Sequence, residues 1–121
     1  MLVEDNTFPG MTHLPRSFDH TDEFYQIKNF SRADSRVLLR LDVSHLDMKM
    51  PLVHHQDADF PLAWAKSYGK GRVYYNALGH DPSTWDDRAV QEMYFEAIKW
   101  GLGMTQADLA PRKFPAVPPA R

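Results

Sequence analysis

The chain has 121 residues, enough for one small domain or a piece of a larger one, and its 43% hydrophobic and 25% charged content is ordinary for a folded globular chain. A formal net charge of −2 gives no electrostatic reason to expect nucleic acid or an anionic membrane as partner, and no stretch approaches the roughly 18–20 apolar residues of a membrane span. With no cysteine there is no disulfide, thiolate metal site or cysteine nucleophile; together with an N-terminus unlike a signal peptide, this points to the cytoplasm.

Residues 1–20 read as irregular, because Pro9, Gly10 and Pro15 punctuate them and no period survives. Residues 22–27, with Phe24, Tyr25 and Ile27, suit an extended segment. After a short polar stretch, residues 36–43 (RVLLRLDV) form a branched apolar run that predicts a strand buried on much of its surface. Residues 44–60 read as a loop. Two β-prone runs, 61–67 and 72–79, then flank Tyr68-Gly69-Lys70-Gly71, which predicts an antiparallel hairpin with its turn at 68–71. In its second arm Val73, Tyr75 and Ala77 face one way, and Tyr74, Asn76 and Leu78 the other.

Gly79-His80-Asp81-Pro82 stops that strand, and Asp86 is the expected N-cap of a helix over about 87–101. Its apolar face is predicted from the spacing of Val90, Met93, Tyr94, Ala97, Ile98 and Gly101. The tail carries four of the nine prolines and reads as a polyproline-like or disordered extension. One helix for three or four strands leaves a sheet face short of cover. The apolar run at Val37–Leu41 would then need a partner: self-association or a missing N-terminal half.

Several segments, in order, resemble the ThuA-like (trehalose utilisation) family: the lead-in VEDNTFPGMTHLP, the acidic-aromatic DEFY, the hairpin from Trp64 to Tyr75 containing YGKGRVYY, LGHDPSTW, and the closing helix ending IKWGLG. The resemblance implies an α/β chain, the C-terminal part of a flavodoxin-like, class I glutamine amidotransferase-like domain, with a β-hairpin followed by a closing helix. It divides the chain into residues 1–103, that portion of the domain without its N-terminal half, and a Pro-rich tail, 104–121. The family's function implies carbohydrate metabolism: a small-molecule sugar of the trehalose or keto-sugar kind, bound or modified by acid–base chemistry. The alternative is a non-catalytic interaction module whose open sheet docks onto a partner chain.

His80 follows a predicted strand and leads into a helix, and open α/β sheets place ligands outside the carboxyl ends of their strands. An imidazole there can serve as general acid, general base or metal ligand, or can simply order its loop. Glu23, on which the resemblance also falls, is the expected second catalytic group, and Tyr25, Trp64, Asp81 and Trp85 are the expected sugar contacts. Asp22 reads instead as a charged lead into an edge strand. A divalent cation is one group these acids could hold, with its ligands unassigned. His54, His55, Asp57 and Asp59 lack metal-ligand spacing and read as a solvated loop, and Gly69–Lys70–Gly71 reads as turn chemistry rather than a phosphate cradle.

Overall fold

The structure, a computed structural model, describes residues 1–54 and 56–114. Four strands form one sheet in sequence order: β1 (Leu2–Val3), β2 (Arg36–Arg40), β3 (Pro61–Tyr68) and β4 (Gly71–Asn76), followed by a helix α1 (Arg88–Gly101). Every pairing is antiparallel. Sheet, hairpin and closing helix together make an α/β arrangement.

The hairpin forms where the glycines predict it. Tyr68 pairs with Gly71 across a two-residue turn, and Gly69 takes φ +56°, a left-handed conformation that costs glycine nothing. The side-chain alternation expected of the second arm also holds. Tyr75 stacks on Trp64 at 4.0 Å on one face, while Tyr74 meets Phe8 at 6.0 Å on the other. β4 ends at Asn76, three residues before the predicted limit, because the Asn76 side chain accepts a hydrogen bond from the Leu78 backbone N–H (3.1 Å) and turns the chain. Similarly, β2 stops at Arg40, and Asp42 caps a short 3₁₀ turn, Val43–His45, by accepting from the Ser44 N–H.

The expected shortage of cover is corrected. Val37, Leu38 and Leu39 are wholly buried within this one chain. The irregular lead-in supplies what a second helix would have supplied: Met1, Phe8, Met11 and Leu14 pack with Val90, Met93 and Trp100 over one face of the sheet. Each such side chain contributes roughly 1.5–3 kcal/mol of burial. The lead-in also contains β1, whose Leu2 and Val3 pair with Arg40 and Leu39. On the opposite face Trp64 is wedged between Tyr75 and Phe30, the Phe30 ring at 4.9 Å edge-on. The segment 22–30 that brings Phe30 there forms no strand, contrary to the extended reading of 22–27 as sheet material.

Two details of α1 differ from expectation. Its N-cap is Asp87, whose carboxylate accepts from the Ala89 N–H at 2.8 Å; Asp86 instead closes the preceding 3₁₀ turn, Pro82–Asp86. The buried face is Val90, Met93, Ala97 and Trp100, and Ile98 is 60% exposed. Trp100 wins the inward position because it has partners on the sheet side: the Phe8 ring edge-on at 5.2 Å, and the Arg72 guanidinium at 5.3 Å from its ring centroid. This leaves Phe95, Ile98 and Leu102 as an exposed apolar stripe.

Residues 104–114 have no regular secondary structure, but they are fastened rather than loose. Arg36 donates to the Ala110 carbonyl (2.7 Å), Arg112 donates to the Glu4 carbonyl (2.8 Å), and Phe114 lies against the Arg32 and Arg40 guanidinium groups. Residues 115–121 of the predicted Pro-rich tail, and His55, lie outside the described residues. The tail is held through a buried ion pair, Arg36 to Asp5 at 2.7 Å. Burial pushes the Asp5 carboxyl upward, but hydrogen bonds from Thr7 and Arg36 outweigh it and hold the group below the usual carboxylate range.

Candidate functional site

One carboxylate organises the loop that follows β4. Asp22, whose side chain is 0% exposed, accepts hydrogen bonds from the backbone N–H groups of Gly79 (2.7 Å), Asp81 (2.8 Å) and Glu23 (2.9 Å), and from the Thr84 hydroxyl (3.0 Å). Burial alone would raise its pKa; the four donors reverse that and hold it at about 2. Since the Thr84 hydroxyl has one proton and gives it to Asp22, the Nε2 of His20 at 3.1 Å is the donor to Thr84.

Aromatic packing fixes the same loop from its other side. Trp85 donates its indole N–H to the Gly79 carbonyl (3.1 Å) and its ring lies 5.1 Å from that of Tyr94. Tyr94 in turn donates to the Leu78 carbonyl at 2.6 Å. Any side chain at Gly79 is strained here: its φ is +127°, and an added Cβ would come within 2.7 Å of the Trp85 ring. The loop from Gly79 to Asp86 is thus clamped between a buried carboxylate and an indole.

The clamp presents His80. Its Nε2 lies 3.4 Å from the Glu23 carboxylate, and both side chains are more than half exposed, at 51% and 62%. They meet because Asp22 binds the backbone on both sides of His80 while also accepting from the N–H of Glu23. Beside them an open hollow of about 500 Å³ is walled by His80, Trp85, Tyr94, Tyr75, Tyr25 and Asn76, among others. The Tyr94 and Tyr75 phenols are raised in pKa, first by burial and then by neighbours, Tyr75 and Asp22 for Tyr94 and Tyr25 for Tyr75, and both stay protonated at neutral pH. The hollow combines aromatic faces, phenol hydroxyls, an amide and a histidine–carboxylate pair.

The structure therefore brings His80, Glu23, Tyr25 and Trp85 to one place. Glu23 is not itself part of the hollow's wall and reaches it through His80. Asp81 contributes its backbone N–H to the Asp22 clamp, while its carboxylate is occupied by Ser83, accepting from the N–H at 2.8 Å and the hydroxyl at 2.7 Å; these bonds lower its pKa. Trp64 is buried, 9% exposed, under Tyr75, and supports that wall rather than forming it. Tyr75, Tyr94 and Asn76 join the wall without being among the expected site residues, and Asp22, expected as a charged lead into an edge strand, is a buried anchor. Among the described residues, no three His, Asp or Glu side chains stand together as a metal's donor set.

These features define an α/β chain with a polar, aromatic-walled hollow at the carboxyl end of a strand. The chain belongs to the ThuA family, described as trehalose utilisation, which matches residues 1–101, and whose fold is in general terms glutamine amidotransferase-like. Family membership suggests a role in trehalose utilisation. No curated protein and no solved structure matches the chain. Among the described residues, no helix is long and apolar enough to cross a membrane.

Proposed function

We propose that the hollow beside His80 binds a sugar of the trehalose or keto-sugar class, and that His80 and Glu23 move a proton at a hydroxyl or keto oxygen of that sugar. The observation that carries this reading is the 3.4 Å approach of His80 Nε2 to Glu23 at the edge of an aromatic wall. Sugar rings present apolar C–H faces that pack on aromatic rings, and hydroxyls that exchange hydrogen bonds with phenols and amides. Tyr75, Tyr25 and Asn76 offer both kinds of contact. The Glu23 carboxylate faces Nε2 and orients the imidazole, leaving Nδ1 as the nitrogen free to meet a ligand.

Isothermal titration of the chain with trehalose and with a keto-sugar tests this. Saturable binding that is lost in both His80→Ala and Tyr75→Ala supports the site; saturable binding indifferent to both variants places the ligand elsewhere.

A second reading, docking onto a partner chain, is favoured by a different surface from the one expected. The sheet faces are covered, but Phe95, Ile98 and Leu102 form an exposed apolar stripe along α1. Sedimentation of the chain before and after Phe95→Ser with Ile98→Ser distinguishes it: an oligomer dispersed by these changes supports docking through α1, and a monomer in both forms opposes it.

A further inference from the structure

A second cavity of different chemistry shares a lining residue, Tyr25, with the proposed sugar hollow. It has a volume of about 160 Å³, and its walls include Phe24, Leu41, Leu46, Val53, Phe60 and Leu62. Met50 and Leu52 also line it, and both are exposed, Leu52 at 71%. Tyr25 belongs to the wall of both cavities. The two spaces therefore meet at Tyr25, so a ligand at the sugar side of that residue has the apolar recess within reach.

We propose that the preferred ligand is a sugar whose anomeric substituent is apolar, an aryl or alkyl glycoside, with the substituent seated in this recess; this rests on the sugar reading above. Size supports it: an apolar cavity of about 150 Å³ accommodates benzene, so one phenyl group fits a recess of this volume. Polarity supports it as well. Apart from the shared tyrosine, the polar side chain in the recess is Gln26, and both ends of its amide are already engaged. Its Nε2 donates to the Leu52 carbonyl at 2.6 Å, and its Oε1 accepts from the His54 N–H at 2.8 Å. The hydroxyls of a second sugar ring would compete for a Gln26 amide already bonded at both ends, whereas an apolar substituent asks for no partner. The Gln26 bonds also tie the segment that carries Tyr25 to the loop that carries Leu52 and Val53.

The experiment compares affinities of both anomers of phenyl glucopyranoside and methyl glucopyranoside, with trehalose and free phenol as references, by calorimetric titration of the intact chain. The expected result is that phenyl glucoside binds roughly tenfold or more tightly than methyl glucoside or trehalose, as burial of one aromatic ring implies. Val53→Phe, which fills the recess, brings the phenyl-to-methyl ratio close to one. Leu52→Ser, at an exposed position where folding is not at stake, reduces the ratio in the same direction. Equal affinities for phenyl and methyl glucoside overturn the proposal while leaving the sugar site standing. A phenyl preference that survives both variants overturns it too, since the ring then sits elsewhere. Binding of phenol as tight as phenyl glucoside, with no binding of methyl glucoside or trehalose, overturns the sugar reading itself, as does the absence of binding by every compound.

Discussion

Replacing Asp22 by asparagine tests the clamp with a nearly isosteric change. The carboxylate receives four donors at 2.7–3.0 Å, and the amide can accept with only one of its two terminal atoms. The other becomes an NH₂ group aimed at donors such as the Gly79 N–H. Hydrogen bonds to a charged group are worth about 1.5–3 kcal/mol each, so a net loss of about 2–3 kcal/mol is expected at pH 7. The same bonds expressed as a pKa agree: a fall from the ordinary 3.8 to about 2, at about 1.36 kcal/mol per pH unit, corresponds to about 2 kcal/mol. Because the folded value lies below the unfolded one, this stabilisation is complete above the unfolded value and fades as pH falls toward the folded one. The gap between wild type and Asp22→Asn should therefore shrink by about 1 kcal/mol from pH 7 to pH 3. Urea unfolding followed by tryptophan fluorescence at the two pH values measures it. A gap of similar size at both pH values, or one below about 0.5 kcal/mol at pH 7, would refute the assignment of Asp22 as an ionised anchor.

Other perturbations separate the remaining parts of the account. Gly79→Ala should cost about 2–4 kcal/mol, because it combines a disfavoured φ with a Cβ 2.7 Å from the Trp85 ring; thermal denaturation near wild type would show that the loop yields freely. Met93→Ala should cost about 2–5 kcal/mol, whereas Ile98→Ala, on the exposed side of α1, should stay within about 0.5 kcal/mol; the reverse ranking in chemical denaturation would mean the helix is rotated. Arg36→Ala should cost about 3–5 kcal/mol by stranding the buried Asp5 carboxylate and should release residues 104–114 to proteolysis; an unchanged digestion pattern would contradict that role.

The hairpin was legible because its information is local: two β-prone runs and a glycine able to turn left-handed at position 69 suffice. The helix was legible in extent, but its face was not. Apolar residues at 90, 93, 94, 95, 97, 98 and 100 surround most of α1, so periodicity could not choose between Ile98 and Trp100. Phe8 and Arg72 made that choice, from positions 92 and 28 residues away. The covering of the sheet was illegible for a related reason: irregular segments such as 1–20 have no period to announce that Phe8 and Met11 point inward. In the site, the closeness of His80 and Glu23 follows from the motifs they occupy, but its cause does not. Asp22 looks like any acidic residue in a polar stretch, and its partners are backbone N–H groups 57 and 59 residues further on, which carry no side-chain signature. Tyr75 and Tyr94 read as core aromatics because wall and core draw on the same residues.

The central claim is that a sugar sits against His80, Trp85 and Tyr75. The Trp85 indole N–H, which donates to the Gly79 carbonyl inside the clamp, is a direct reporter of that position in a ¹H–¹⁵N correlation spectrum. Titration with trehalose or a glycoside should shift the Trp85 indole signal and the His80 and Gly79 amides along one saturable curve, leave the Trp64 and Trp100 indoles nearly still, and lose the effect in Tyr75→Ala. Saturable shifts confined to other residues, or no saturable shift at Trp85, His80 and Gly79, would contradict it.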